Sequence, residues 1–126
     1  MSTWHALYYP LLPGSEDIVK DLFRRSGRPD FDVKSPDGTV VGKLLGTQAF
    51  VGKELAVRVI EIEGPLPLVA AHMSQQPAVR EFERELEKHL AVPRDMTSRE
   101  GAQAFFRLAS MENVLSRRHD QPLEGE

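Results

Sequence analysis

The sequence of 126 residues contains no cysteine. This absence excludes disulfide bonds, thiolate metal ligands and a cysteine nucleophile, and it fits a reducing, cytoplasmic location. No apolar run approaches the ~18 uncharged residues that a membrane-spanning helix needs, so we expect no membrane contact. The N-terminal segment has no basic region followed by an apolar one, so we also expect no signal peptide.

An excess of one charge sign is also missing. Lysine and arginine together number 16, aspartate and glutamate number 19, and the two signs are interspersed, so we expect no nucleic-acid partner. The four histidines are scattered, and no two of them have ligand spacing on one helix, so we expect no metal site. No GxGxxG or Walker pattern is present, so we expect no cofactor.

The pattern of apolar residues predicts one α+β domain at residues 1–120 and a disordered tail at residues 121–126. A strand is predicted from Trp4 to Leu12, ended by Pro13-Gly14, and Ser15 then caps a helix. A second turn is predicted at residues 35–38.

The second half of the chain reads mainly as helices. They are predicted at about residues 66–76, at 78–90 and after a capping box at 97–100, before a last strand at 111–118. The 78–90 helix has an outer face that we interpret as solvated. That face carries Arg80, Glu81, Glu83, Arg84, Glu85, Glu87 and Lys88.

The clearest strand pair is a hairpin at residues 43–63, with Gly52 first in a two-residue type II′ turn. This register places Thr47 opposite Arg58. One face of the hairpin then carries Leu45, Thr47, Ala49, Ala56, Arg58 and Ile60. The other face carries Gly46, Gln48, Phe50, Leu55, Val57 and Val59.

Both faces of the hairpin are largely apolar, so both need a cover. We expect the helices to cover one face and a second copy of the chain, in a homodimer, to cover the other. The order strand, helix, hairpin, helix, strand is the split βαβ pattern of a ferredoxin-like fold with an antiparallel sheet.

Motifs spread over nearly the whole chain resemble those of the SchA/CurD-like family of aromatic polyketide biosynthesis. They are GRPDFD (27–32), GKLLGTQ (42–48), VRVIE (57–61), HM (72–73), QP (76–77), PRDM (93–96) and RRHD (117–120). The resemblance implies a dimeric α/β-barrel relative encoded with type II polyketide synthases that make spore pigments and aromatic antibiotics.

Three functions are compatible with this resemblance. The first is a cyclase or aromatase that acts on a polyketide intermediate without a cofactor. The second is a cofactor-free monooxygenase that oxidises a polycyclic phenol or anthrone to a quinone. The third is a non-catalytic protein that binds polyketide intermediates within the synthase complex.

Arg58 and His72 are the candidate catalytic residues. Arg58 lies in an apolar strand beside small residues, where a cation would stabilise a phenolate, enolate or carboxylate of a polyketide. The alternative is a structural ion pair or a contact at the dimer interface. His72 lies just before the helix break at Pro77 and suits an acid or base, or it only borders an apolar stripe. We expect both side chains in one cavity between sheet and helix.

Five further side chains are candidates for binding the substrate. They are His5, Tyr8, Tyr9, Thr47 and Gln48. Alternation along the first strand places His5 and Tyr9 on one face and Tyr8 on the other. Their rings would stack on a flat ligand and the tyrosine hydroxyls would donate hydrogen bonds, although residues of this type more often belong to the core.

Overall fold

The computed structural model describes residues 2–118 and 120. Its helices pack on one face of an antiparallel sheet whose strands differ in length. In chain order the elements are β1 (Ser2–Pro10), α1 (Glu16–Arg25), β2 (Asp32–Lys34), β3 (Val40–Val51), β4 (Leu55–Glu63), α2 (Leu66–Gln75), α3 (Pro77–Glu87), α4 (Arg99–Ala109) and β5 (Ser110–Met111). The predicted tail at residues 121–126 lies outside the described residues, as do Met1 and His119.

The five strands of the sheet follow the order β2-β3-β4-β1-β5, and every neighbouring pair is antiparallel. The β3–β4 hairpin therefore lies on one side of β1, and β5 lies on its other side. This split arrangement confirms the predicted α+β, ferredoxin-like fold. The short strand β2 is an addition at the β3 edge.

The buried residues form two clusters between the sheet and the helices. The larger cluster lies under α1, α3 and α4 and contains Leu7, Tyr9, Leu11, Val19, Leu22, Ala56, Phe82, Leu86, Leu90 and Ala109. The smaller cluster lies under α2 and contains Val33, Leu44, Ile62 and Val69. Arg58 and its strand neighbours of even number therefore face the helices, which settles which side of the hairpin is covered within one chain.

The tip of the hairpin differs from the prediction. Val51 pairs with Ala56 and Ala49 with Arg58, so each residue faces a partner two positions later than expected. Gly52 is not among the glycines with positive φ in the described chain, so the predicted type II′ turn is wrong. Because the shift is an even number of residues, the side chains that share a face remain those predicted from Gly46 onward.

A β-bulge changes the faces at the other end of the hairpin. Leu44 pairs with Ile62 and Gly46 with Glu61, so Leu45 is the extra residue. Leu44 is consequently buried against the helices at 6% exposure, whereas Leu45 is 43% exposed. The prediction that Leu45 shares the face of Arg58 is therefore wrong.

The last strand is much shorter than predicted. β5 consists of Ser110 and Met111, which pair with Leu7 and Ala6, and residues 112–118 have no regular secondary structure. The β1 edge beyond Leu7 is therefore free of a strand partner on this side among the described residues. None of the described helices has the length and apolar character needed to cross a membrane.

Candidate functional site

Arg58 projects from β4 into the layer between the sheet and the helices. Its guanidinium carbon lies 5.0 Å from the ring centre of Phe82 and 5.4 Å from that of Phe23. No carboxylate lies within ion-pair distance of Arg58 in the described part of the chain. The half-buried cation is therefore stabilised by the faces of two aromatic rings instead of a countercharge.

Tyr9 lies beside Arg58 on the neighbouring strand. It pairs with Ala56, is only 1% exposed, and stacks on Phe105 with a centroid distance of 5.6 Å. Burial raises the pKa of the Tyr9 hydroxyl above its ordinary value; Arg58 and Arg94 oppose this rise and Glu83 reinforces it. Tyr9 is therefore a neutral phenol at neutral pH, able to donate a hydrogen bond.

Arg94 lies in the segment between α3 and α4, and its side chain is only 4% exposed. Its Nε donates to Glu87 at 2.7 Å, and its Nη2 contacts Glu83. Its guanidinium carbon lies 4.4 Å from the ring centre of Phe105 and 5.7 Å from that of Tyr9. Two carboxylates and two rings thus hold this arginine at the sheet.

A cavity of about 440 Å³ opens beside these groups. It lies beside Tyr8 and Tyr9 of β1, between the end of β5 and the bridge from Leu11 to Leu90. The segment after α3 and the helix α4 form its other sides. Tyr9, Arg94 and Phe105 form one part of its wall, and most of the remainder is apolar. Its volume falls within the ~300–1,000 Å³ range of small-molecule sites.

Gly101 in the first turn of α4 fixes the segment that carries Arg94. A Cβ at this position would overlap the backbone carbonyl oxygen of Asp95. The Asp95 carboxylate accepts from the Thr97 amide at 2.9 Å and from the Ser98 hydroxyl at 3.1 Å. Hydrogen bonds from Thr97, and then from Ser98, lower the pKa of Asp95. The loop is therefore locked onto the start of α4.

His72 lies on α2, above the smaller core cluster. Its Nε2 is 3.2 Å from the backbone oxygen of Asp30 and 3.1 Å from Nε2 of Gln76. The Asp30 carbonyl suits a protonated Nε2, whereas the Gln76 amide nitrogen donates and suits an unprotonated Nε2, so the two contacts favour opposite tautomers. His72 and Arg58 line neither the 440 Å³ cavity nor a second hollow of about 350 Å³ between α1 and β3, so neither described cavity unites them.

The other predicted binding residues are distributed over both faces of the sheet. Tyr8 and Tyr9 both line the 440 Å³ cavity, although they lie on opposite faces of β1. His5 faces the helix side and is 2.9 Å from the Thr3 hydroxyl through Nε2. Thr47, opposite Ile60, and Gln48, opposite Val59, are exposed.

Sequence reasoning missed Arg94 and assigned its partners to the solvent. Glu83 and Glu87 were predicted on the solvated face of the third helix, but their side chains are 17% and 32% exposed and turn towards Arg94. Glu83 and Glu87 are four residues apart on α3, so they lie on one side of that helix, next to the buried stripe that contains Phe82. That spacing is the signal in the sequence for the pair.

No group of three or more histidine, aspartate or glutamate side chains in the described part of the chain is placed to hold a metal ion.

The fold is ferredoxin-like, and its candidate site is a cavity with an aromatic wall, close to Arg58 and Arg94. The chain belongs to the SchA/CurD like domain family, whose model matches residues 2–118.

The chain is also similar to three proteins from Streptomyces. The chain is 38% identical over 112 residues to "Polyketide synthase CurD" of Streptomyces cyaneus, covering 89% of this chain and 29% of that protein. It is 34% identical over 110 residues to the "42.8 kDa protein in whiE locus" of Streptomyces coelicolor, covering 87% and 26%. It is 33% identical over 111 residues to "Protein SchA" of Streptomyces halstedii, covering 87% and 28%.

The chain therefore spans less than a third of the length of these relatives. No solved structure matches it.

Proposed function

We propose that this protein acts in aromatic polyketide biosynthesis as a cyclase or aromatase that needs no cofactor. The cavity of about 440 Å³ beside Tyr9 is the observation that carries this proposal. Its walls are aromatic and apolar, which suits a flat, folded polyketide. The neutral phenol of Tyr9 and the cations of Arg58 and Arg94 lie nearby. The family and the name of the Streptomyces cyaneus relative support a role in polyketide biosynthesis.

The proposed chemistry is an intramolecular aldol reaction. A base removes a proton from a methylene group between two carbonyls, and the resulting enolate attacks a third carbonyl to form the new carbon–carbon bond. Tyr9 donates a hydrogen bond to the oxygen that becomes negative, and loss of water then completes the aromatic ring. Confinement in the cavity holds the flexible chain in one reactive shape.

Arg58 and His72 keep the roles proposed for them from the sequence. Arg58 supplies positive charge close to Tyr9, which favours an anion on or beside the phenol. His72 stays the proposed proton carrier, and because it lines neither cavity, it would act on a part of the substrate that extends beyond the 440 Å³ cavity. His5, Tyr8, Thr47 and Gln48 stay proposed contacts of the substrate, and Tyr8 lines the cavity.

We further propose a homodimer in the cytoplasm, formed through the face of the sheet that no helix covers. That face presents apolar side chains from three strands. They are Trp4, Tyr8, Phe50, Leu55, Val57 and Val59. Phe50 is 57% exposed and Leu55 44% exposed, which is a large apolar area for a single chain to leave in water. A stable interface there buries more than ~1,000 Å² in total.

The test compares the aromatic products of the pathway with and without this protein. We expect its removal to replace the correctly cyclised product with shunt products, and Tyr9→Phe to do so in part. Arg84→Lys, a change at an exposed position of α3, is the matched control and leaves the products unchanged. An unaltered product profile in the absence of the protein contradicts the cyclase.

Two companion measurements distinguish the alternative functions. Oxygen uptake with an anthrone substrate assigns a monooxygenase instead of a cyclase. Tight binding of the intermediate with no turnover assigns the non-catalytic binding protein.

A further inference from the structure

Arg94 has one guanidinium nitrogen that the protein does not use. Glu87 accepts from Nε and Glu83 contacts Nη2, but Nη1 is buried and has no hydrogen-bond partner among the described residues. It is the one side-chain polar atom in that part of the chain with both properties. A buried donor left unpaired is costly, so it calls for a partner that the chain does not supply, such as a water, an ion or a ligand.

The surroundings of Arg94 prevent it from turning elsewhere. Its two carboxylate partners come from successive turns of α3, and its guanidinium plane lies over Phe105, 4.4 Å from the ring centre. Asp95, the next residue, is locked to the first turn of α4 by Thr97, Ser98 and the absence of a side chain at Gly101. The position of Nη1 is therefore fixed before any ligand arrives.

We infer that Arg94 is a ligand-binding residue whose Nη1 donates a hydrogen bond to a neutral carbonyl oxygen of a flat aromatic ketone held in the 440 Å³ cavity. Arg94 lines this cavity together with Tyr9 and Phe105, but Nη1 itself is buried, so a ligand oxygen reaches it where a neighbouring side chain moves aside. A planar ligand stacked on that wall brings an oxygen in its own plane towards the guanidinium edge.

The charges around Arg94 select the kind of oxygen. Glu83 and Glu87 carry two negative charges against the single positive charge of Arg94. A ligand carboxylate would add a full negative charge beside two others and is disfavoured. A hydrocarbon would leave Nη1 unpaired. A neutral carbonyl satisfies the donor without adding charge.

This inference rests on the proposed function only for the aromatic nature of the ligand, and it adds the residue and the oxygen that it recognises. Three probes with the same ring system test the role of Arg94 separately from the proposed function. Fluorenone carries one carbonyl, fluorene carries none, and fluorene carboxylate carries an anion. Their binding to the intact protein is measured by equilibrium dialysis, with and without Arg94→Lys.

Lysine keeps the single positive charge that faces the two glutamates, but it has no second nitrogen to take the place of Nη1. We expect fluorenone to bind the unaltered protein about 10- to 100-fold more tightly than fluorene does, as a charge-assisted hydrogen bond requires. Arg94→Lys should remove that preference and leave fluorene binding unchanged. Arg84→Lys, at an exposed position of α3, should change neither the preference for fluorenone nor the binding of fluorene.

A spectroscopic readout shows whether Nη1 itself contacts the oxygen. In fluorenone labelled at the carbonyl carbon, the infrared carbonyl stretch should shift to lower frequency on binding, and Arg94→Lys should abolish the shift. Because fluorenone and fluorene are first compared on the unaltered protein, an Arg94→Lys variant that fails to fold leaves the test intact.

The outcomes separate the two proposals. Equal binding of fluorenone and fluorene, or stronger binding of fluorene carboxylate, overturns the role of Arg94 while leaving the aromatic cavity in place. If none of the three probes binds, both the Arg94 site and the cavity of the proposed function are refuted.

Discussion

Replacement of Arg58 by methionine tests the arrangement at the centre of the molecule. Methionine keeps the apolar stem of the side chain but removes the charge that lies over Phe23 and Phe82. Each cation–ring contact contributes ~0.5–2 kcal/mol, depending on how far it is removed from water. Because Arg58 is half-buried and makes two such contacts, we expect Arg58→Met to lower the free energy of unfolding by about 1–3 kcal/mol.

The same substitution has an electrostatic consequence at Tyr9. Burial raises the pKa of Tyr9 above 10.0 and Arg58 acts against that rise, so removal of Arg58 should raise the pKa further. A raised folded-state pKa means that the neutral phenol favours folding. This contribution is complete below a pH of about 10 and is lost as the pH rises through the folded-state pKa. Arg58→Met should move that loss to higher pH.

Two measurements check these expectations. Urea unfolding is followed by the fluorescence of Trp4, which is the only tryptophan of the chain. The titration of Tyr9 is followed by phenolate absorbance in a Tyr8→Phe background, which leaves Tyr9 as the only tyrosine. Arg84→Met is the matched control, because Arg84 is exposed on α3. If Arg58→Met and Arg84→Met unfold alike and the Tyr9 titration does not move, the placement of Arg58 is refuted.

The remaining predictions concern separate features. Gly101→Ala should displace the Asp95 backbone and destabilise the protein by ~1–3 kcal/mol, and an unchanged urea midpoint would show that the loop is not locked. Phe50→Asp should convert the dimer to a monomer in sedimentation, which fails if the unaltered protein is already monomeric at micromolar concentration. His72→Ala should slow the reaction by removing the proton carrier, and an unaltered rate argues against His72. Activity should survive a chelator, and its loss with recovery on addition of one metal would contradict a metal-free reaction.

Turns and overall topology were predictable because the local residues leave few choices. Gly14 and Gly38 have φ values of 82° and 88°, which glycine adopts at little cost, and both lie in turns predicted from the sequence. The separation of Tyr8 and Tyr9 onto opposite faces of β1 was predictable as well from alternation, whereas only the structure shows that Tyr9 is on the inside. Ser15 precedes α1 as predicted, although its side chain makes no capping hydrogen bond.

Features that depend on distant contacts were not predictable. The bulge at Leu45 depends on how β3 meets β4, and the adjacent Gly46, a residue type that often marks a bulge in a strand, was its only local signal. Arg94 lies in an irregular segment, where burial has no periodic pattern. Only the folded chain shows that Glu83 and Glu87 reach this arginine, so the part of the cavity wall that Arg94 forms could not be predicted from the sequence.

The place of β1 in the sheet has a consequence for the way the chain folds. β1 is the first strand in the chain, yet its partners are β4, at residues 55–63, and β5, at residues 110–111. Such distant pairings make folding slow, because a long loop must close before the contacts form. During synthesis on the ribosome, β1 therefore has both edges unpaired until β4 emerges, with apolar Leu7 and Tyr9 still in water. We expect this interval to be when the nascent chain is most prone to aggregate.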